Sequence, residues 1–439
     1  MSFRSRPLDR RLLELVSDRV GLIKSIGMVK RGADEPCPPY ICQATIANFD
    51  FKKAPKIERM SAGKGRTPDD AMMGAIGEAV ERYCAAHIDP KKLVRSRAAA
   101  LPLPGLTPPE FVLYSDRQYS RSNFPYHRWD PADEVTWIQA VEPLAGAHVL
   151  VPSSLVYLAG PPDRPQDFFC PSTSNGLAAG VDLESAVLSG LCELIERDAF
   201  LLRWMCKLPA PEVQFSETLE LPGRIRRHFE RFGTDIRVLN LSLDLPGFVM
   251  MAVALGRSDD LPATLVGLGC HPDPSMAVVK AMLEICQIHP GEVQRHRTAD
   301  LPIRLKAYAD VQSLEDHSGF MSLPAQRSEF DFLLHNPVSQ PLDGLPVVES
   351  NCAETLARML KELASLGYRV CYVDLTTPDV LQYGLRVARV LASGLQPIHF
   401  GFGEERLGGR RWGEVPHRLG LFDRAITEAD LNPCPHPLA

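Results

Sequence analysis

Two stretches of this chain close on the same pattern, Glu-x-x-Glu-Arg. Glu78, Glu81 and Arg82 end SAGKGRTPDDAMMGAIGEAVERY, and Glu193, Glu196 and Arg197 lie in NGLAAGVDLESAVLSGLCELIERDAF. Both segments carry helical periodicity. In the first, Met72, Ala75, Ile76, Ala79, Val80 and Tyr83 predict the buried stripe, and the acidic pair falls on the other side. Thr67 is placed to cap it, Pro68 suits its first turn, and Asp69 and Asp70 complement the helix dipole. In the second, Asp182 caps, and Val187, Leu188, Leu191, Leu194 and Ile195 form the stripe. A third predicted helix runs from Asp273 to a stop at Pro290, with Glu284 and Gln287 again three apart and Lys280 one turn earlier. Glycine-containing stretches precede all three and read as loops: SAGKG, Ser174-Asn175-Gly176 with Gly180, and Gly267 to Gly269.

Glutamates three residues apart on a helix stand side by side, within reach of one cation. A hard divalent ion takes oxygen ligands, and Mg²⁺ is commonly held by one or two carboxylates together with substrate phosphates. One such helix face alone is an ordinary solvated salt-bridge surface. Repetition in the same phase, with arginine after the second glutamate, points instead to a shared site. Two such pairs brought together need cations, or Arg82 and Arg197, to balance them. Ser61 to Gly65 offers Lys64 and backbone N–H groups to a phosphate, though Glu58 and Gly65 break the Walker A pattern.

The remainder of the composition narrows the setting. A formal net charge of −6 gives nucleic-acid binding no support, and no apolar run reaches membrane-helix length. The basic N-terminus is interrupted by Asp9, Glu14 and Asp18 and reads as an amphipathic helix, not a secretory signal. Eleven irregularly spaced cysteines predict reduced thiols and a cytoplasmic setting, and Cys37 and Cys42 lack the second pair a zinc site needs. No Ser-His-Asp order is apparent, and histidines and cysteines read as surface or packing residues. Asp198 projects toward the apolar side of its helix and requires a buried partner. The expected organisation is a mixed α/β fold: an N-terminal segment over 1–60, then a catalytic domain over 61–439 ending in a Pro-x-Pro-x-Pro tail.

The two glutamate helices, the segment GLGCHPDPSMAVVKAMLEICQ and the tail PCPHP, in that order, resemble the YcaO family of ATP-dependent backbone-amide-modifying enzymes. The resemblance covers roughly 60–439. It implies a mixed α/β fold with internal pseudo-duplication and a nucleotide site between the signature helices. By motif, Glu78, Glu81, Glu193 and Glu196 would ligate Mg²⁺. Lys64, Arg197 and Gln287 would contact ATP, with Glu284 completing the polar face. Pro433, Pro435 and Pro437 resemble the tail of azoline-forming members, which would bring the carboxylate of Ala439 to the site as a proton acceptor. Three positions depart from the family pattern: Gly74 for serine, His289 for arginine and Ser393 for proline.

The implied reaction is cyclodehydration of Cys, Ser or Thr in a ribosomally made precursor peptide. The side chain attacks the preceding amide carbonyl, and the adduct oxygen takes the γ-phosphoryl of ATP. Phosphate then leaves to give a thiazoline or oxazoline. The resemblance further implies an E1-like leader-binding partner, a flavin-dependent azoline dehydrogenase in some systems, and homo- or hetero-oligomers. Installation of a thioamide or amidine, or a silent nucleotide-binding scaffold, are the alternative readings.

Overall fold

The computed structural model describes residues 7–47, 60–158, 164–215, 219–297, 304–335, 338–347 and 350–438. Its strands in chain order are β1 (Ile23–Met28), β2 (Tyr40–Ile46), β3 (Met60–Gly65), β4 (Leu93–Ser96), β5 (Val135–Glu142), β6 (Ala147–Pro152) and β7 (Leu177–Gly180). They continue with β8 (Glu212–Gln214), β9 (Thr234–Asn240), β10 (Phe248–Gly256), β11 (Thr264–His271), β12 (Ser339–Pro341), β13 (Val370–Asp374) and β14 (Arg386–Ala392). The longer helices are α1 (Pro68–Ala86), α2 (Leu183–Met205), α3 (Glu220–Arg231), α4 (Pro274–His296), α5 (Leu314–Met321), α6 (Cys352–Ser365) and α7 (Arg411–Arg418).

The strands form three sheets, ordered β1-β2-β3, β11-β10-β9-β8-β12 and β4-β5-β13-β14-β7, with β6 beside β5. The pairs are antiparallel except β12 with β8. The mixed α/β expectation holds. The first sheet straddles position 60, since β2 pairs with β3.

Ser174-Asn175-Gly176 is the expected turn, closed by the Leu177 N–H on the Ser174 carbonyl at 2.8 Å, whereas SAGKG and Gly267–Gly269 are strands rather than loops. β3, β7 and β11 each lead into a helix that packs back on them: α1, α2 and α4. Glycine is required because the helix backbone comes so close. A Cβ on Gly63 would stand 1.9 Å from the Ala71 carbonyl oxygen. One on Gly267 would stand 2.5 Å from that of Ala281, and one on Gly269 2.4 Å from that of Ala277. Gly74, the first departure, belongs to the same contact, because its Cβ would meet the Gly63 Cα at 3.0 Å. Gly63→Ala must therefore push β3 off α1, and we expect it to cost roughly 1–3 kcal/mol, as overpacking of a filled core does. Thermal unfolding of the variant measures this, and an unchanged Tm would contradict the close-approach account.

A third strand–helix unit, β11 with α4, packs in the same way as the two that the glutamate repeat marks. Each unit's helix also rests on the strand of another unit: α1 on β7, α2 on β11 and α4 on β3. The three units close into a ring.

Two helix expectations are corrected. Among the described residues, the basic N-terminal stretch forms a short 3₁₀ helix, Arg10–Leu15, burying Leu12 and Leu15. A three-residue spacing matches that repeat, so one turn buries what the segment has to offer. The third helix does not stop at Pro290; α4 continues to His296. Proline removes the N–H that would bond the Cys286 carbonyl. Arg31 supplies the substitute, its Nη2 donating to that oxygen at 3.2 Å. Arg31 also pairs with Glu35 at 2.6 Å, and Glu35 contacts His289 Nδ1 at 2.9 Å. The second departure, His289, is thus part of a buried contact that ties the N-terminal segment to α4.

Asp198 has the partner it requires. Arg411 on α7 bonds both its carboxylate oxygens, at 2.7 and 2.6 Å, and also bonds Asp244 at 2.7 and 3.0 Å.

Candidate active site

The first glutamate of each signature helix has the same bond. Glu78 Oε2 accepts from the Ala62 N–H at 2.7 Å, Glu193 Oε2 from Gly176 at 3.1 Å, and Glu284 Oε2 from Leu268 at 2.9 Å. Each donor belongs to, or immediately precedes, the strand that leads into that helix. The second oxygens differ: Glu78 Oε1 accepts from Arg82 at 2.6 Å, and Glu193 Oε1 faces Arg197 at 3.6 Å. Because the Ala62 N–H is already engaged, the backbone of SAGKG does not form the open phosphate cradle that its glycines suggested.

The second positions of the motifs are less compensated. Glu81 is pushed well above the usual carboxylate range by burial, and the charges of Glu193 and Glu78 add to the effect. Burial also raises Glu193, against Arg197 and the Gly176 N–H. Glu196 rises to about 7, again through burial, with Glu284 and Glu193 adding to it and Arg197 opposing. Three helices thus direct carboxylates into one half-buried cleft. Arg197 lies among them, 3.6 Å from both Glu193 and Glu196, and its Nη1 has no partner among the described residues. Arg82, by contrast, pairs with Glu78 at 2.6 Å.

Lys64 lies on β3 opposite Ile41 and stands close enough to α4 for Cys286 to feel its charge. Gln287 is half-buried one turn beyond Glu284. Lys280 donates to the Cys270 carbonyl at 3.2 Å and its charge reaches Glu196. The structure therefore brings Glu81, Glu193, Glu196, Arg197 and Glu284 within electrostatic reach of one another. Lys64 stands toward the α4 side.

The tail is packed, not loose. Pro433 is exposed, but 434–438 are buried; Ala439 lies outside the described residues. Trp204 Nε1 donates to the Cys434 carbonyl at 2.9 Å. His436 Nε2 donates to the His399 carbonyl at 2.6 Å, and the His436 ring stacks on His317 at 4.0 Å between centroids. The Gly401 N–H donates to His317 Nε2 at 3.0 Å, so His317 Nδ1 must carry the proton and donate to the His436 carbonyl at 2.7 Å. Both nitrogens of His317 are committed in the neutral ring, and burial lowers it to about 4. Burial also holds His436 well below its ordinary range, and Arg197 is among the charges that lower it further. His436 therefore lies within Coulombic range of Arg197. Here packing histidines do more than fill space, which scattered sequence positions could not reveal.

Arg389 on β14 was not apparent as a site residue. It is 2 % exposed and donates to the carbonyls of Val156, Asn175 and Thr173, while facing the charges of Glu193 and Glu81. Its signal was an arginine in the middle of an apolar strand, RVARVLA, where a charge is seldom buried without purpose.

Among the described residues, no three His, Cys, Asp or Glu side chains converge closely enough to hold a metal by themselves. The donor set still fits Mg²⁺, which needs few protein carboxylates when phosphates and waters complete its shell. The raised carboxylates and the unpartnered Arg197 Nη1 mark a cleft whose charges are not satisfied within the protein. This gives a signed expectation. Groups whose pKa is raised on folding hold protons the unfolded chain has lost, so stability falls as pH rises from about 4.5 through about 7. Mg²⁺ should relieve that loss. The Tm gain on adding MgCl₂ should be larger at pH 8 than at pH 5, and an equal gain at both would contradict carboxylate binding.

Three strand–helix units thus present these acidic groups on a mixed α/β fold. A family model described as YcaO cyclodehydratase, ATP- and Mg²⁺-binding, matches residues 62–396. An uncharacterized protein of Methanothermobacter thermautotrophicus is 30% identical over 80% of this chain and 84% of its own. One in the tfuA 3′ region of Rhizobium leguminosarum bv. trifolii is 33% identical over 35% of this chain and 38% of its own. The chain belongs to the YcaO family.

Solved structures share the fold. A heterocyclase in complex with substrate and cofactor superposes with a TM-score of 0.80 at 23% identity, covering 100% of this chain and 59% of that one. YcaO from Methanopyrus kandleri, bound with AMPPCP and Mg²⁺, gives 0.64 at 21% identity and covers 88% of each chain. The E. coli microcin synthetase McbBCD complex with pro-MccB17 bound gives 0.58 at 16%, covering 84% of this chain and 88% of that one. The chain spans about three fifths of the heterocyclase. No helix among the described residues is long and apolar enough to cross a membrane.

Proposed function

We propose that this chain uses ATP and Mg²⁺ to cyclodehydrate Cys, Ser or Thr residues of a ribosomally made peptide, giving thiazolines or oxazolines. The observation that carries the reading is the gathering of carboxylates from three strand–helix units around Arg197, which stands 3.6 Å from both Glu193 and Glu196. Glu78, Glu81, Glu193 and Glu196 would hold Mg²⁺, while Lys64, Arg197 and Gln287 would meet phosphates and Glu284 would complete the polar face. Mg²⁺, when bound, neutralises charge on the transferring phosphoryl group.

The chain's own residues orient the reactants. The strand N–H groups fix the first glutamates, and Arg197 offers an unengaged donor to an anion. The histidine-clamped tail carries Pro435 and Pro437 inward, so that the carboxylate of Ala439 can take a proton from the attacking side chain. In the balanced step, peptide and ATP give the azoline, ADP and phosphate. A leader-binding partner protein, a flavin-dependent azoline dehydrogenase and an oligomeric assembly belong to the same proposal. The McbBCD complex, which binds pro-MccB17, supports a peptide substrate and partner proteins.

The test combines the chain, its partner and a precursor from neighbouring genes with MgATP. Mass spectrometry should show loss of one water mass per modified residue. A mass gain equal to the difference between sulfur and oxygen would instead support thioamide formation, with external sulfide as the nucleophile. Deleting 435–439 should lower turnover at least about a hundredfold, the scale of one general base, with MgATP affinity retained. Full activity after the deletion would remove the tail from the mechanism.

A further inference from the structure

A backbone N–H holds the first glutamate of each signature helix, but only two of the three donors are braced by a sheet. Ala62 lies inside β3 opposite Gln43, and Leu268 lies inside β11 opposite Met251. Gly176 stands one residue before β7, in the turn from Ser174 to Leu177, at a φ of +83°. Glycine populates both signs of φ, so such a turn does not by itself fix the direction of an N–H. Yet this one must be aimed at Glu193 Oε2.

Arg389 supplies the brace. Its Nη1 donates to the Asn175 carbonyl at 2.8 Å, its Nη2 to the Thr173 carbonyl at 2.6 Å and its Nε to the Val156 carbonyl at 2.9 Å. The planar guanidinium fork thereby holds two carbonyls of the turn at once, which a single ammonium cannot do. The Asn175 carbonyl and the Gly176 N–H belong to the same planar trans peptide group. Fixing the oxygen therefore fixes the N–H, which points the opposite way. The next residue closes the turn from the other side, because the Val390 N–H donates to the Gly176 carbonyl at 2.7 Å. A cationic donor on the oxygen also polarises the peptide and strengthens its N–H as a donor. Burial lowers Arg389 only to about 10, so the guanidinium is charged at neutral pH.

We infer that Arg389 is a positioning residue, which aims the Gly176 N–H at Glu193 by fixing the Asn175–Gly176 peptide and so sets that carboxylate in the cleft. What Glu193 then does rests on the MgATP reading; the chain of bonds from Arg389 to Glu193 does not.

Amide hydrogen exchange of the full chain, without ligand, tests the brace. Relative to its intrinsic rate, Gly176 should be protected to within about tenfold of Ala62 and Leu268, the worth of one hydrogen bond. Weaker protection overturns the inference, and this measurement needs no variant that might fail to fold. Arg389→Lys keeps a charge facing Glu193 and Glu81 but gives up the fork. It should speed exchange at Gly176 by roughly tenfold or more and leave Ala62 and Leu268 within about twofold. Equal acceleration at all three sites, or none at Gly176, overturns it.

MgATP affinity, measured by calorimetry, supplies a second arm as a mutant cycle. Arg389→Lys should weaken MgATP roughly tenfold in the parent chain and in Glu78→Gln, but less than about twofold in Glu193→Gln, where the carboxylate to be positioned is gone. Equal losses in all three backgrounds overturn the inference. If the parent chain failed to bind MgATP, the ATP-dependent reading would fall, and exchange at Gly176 would still decide the positioning role.

Discussion

Glu193→Gln should reduce ATP-dependent turnover by roughly a hundredfold to a thousandfold, the scale of losing one preorganised charged group from an active site. It should do so without lowering Tm. Glutamine retains an oxygen for the Gly176 N–H, so the bond anchoring the helix to its strand survives. What disappears is a negative charge that burial already disfavours. At pH 8 the variant should melt at the parent's temperature or above it, the usual trade between a functional charge and stability. Steady-state kinetics with a paired melting curve checks both halves. Unimpaired turnover would remove Glu193 from the metal-binding proposal, and a large fall in Tm would mean that its role is structural.

The largest stability effect is expected at Arg411. Arg411→Met leaves Asp198, 0% exposed, and Asp244 as buried carboxylates without their shared guanidinium. Removing one partner of a buried ionic network costs roughly 3–5 kcal/mol, because the remaining charges keep their desolvation penalty. The pH sign follows. In the parent, burial raises Asp198 despite Arg411, while Asp244 stays below the usual range, since its bonds to Arg411 outweigh its own burial. Without Arg411, Asp198 would titrate higher still in the folded chain, while Asp244 would keep Arg418 as its partner. The variant's deficit should then shrink as pH falls from 7.5 toward 4.5. Chemical denaturation at the two pH values measures it, and a deficit independent of pH would rule out the uncompensated-charge account.

Local rules read the site helices well. Thr67 and Asp182 cap where their side chains predicted, α4 starts after Asp273, and the apolar stripes of α1 and α2 are buried except for the half-buried Met72, Tyr83 and Leu188. The need of Asp198 for a partner was legible; that the partner is Arg411, 213 residues away, was not, because no local pattern encodes it. Glycine was misread for a comparable reason. A Gly-rich stretch looks the same whether it turns or lies flat beneath a helix, and only the close approach of α1 to β3 separates the two. Pro290 misled because its helix-breaking cost is met by Arg31, a long-range donor. The carboxylates were found because charge repeated in phase is visible in one dimension. Arg389 acts through tertiary contacts and was not.

The ring of three strand–helix units has a kinetic consequence. Its closing contact, α4 on β3, joins segments far apart in the chain, and the Arg31–Cys286 bond beside it spans 255 residues. Loops of that length close late, so the cleft cannot be assembled by any one unit before the whole ring is formed. MgATP would then bind only the completed ring and act as a final latch on folding, drawing the population toward the closed form by mass action.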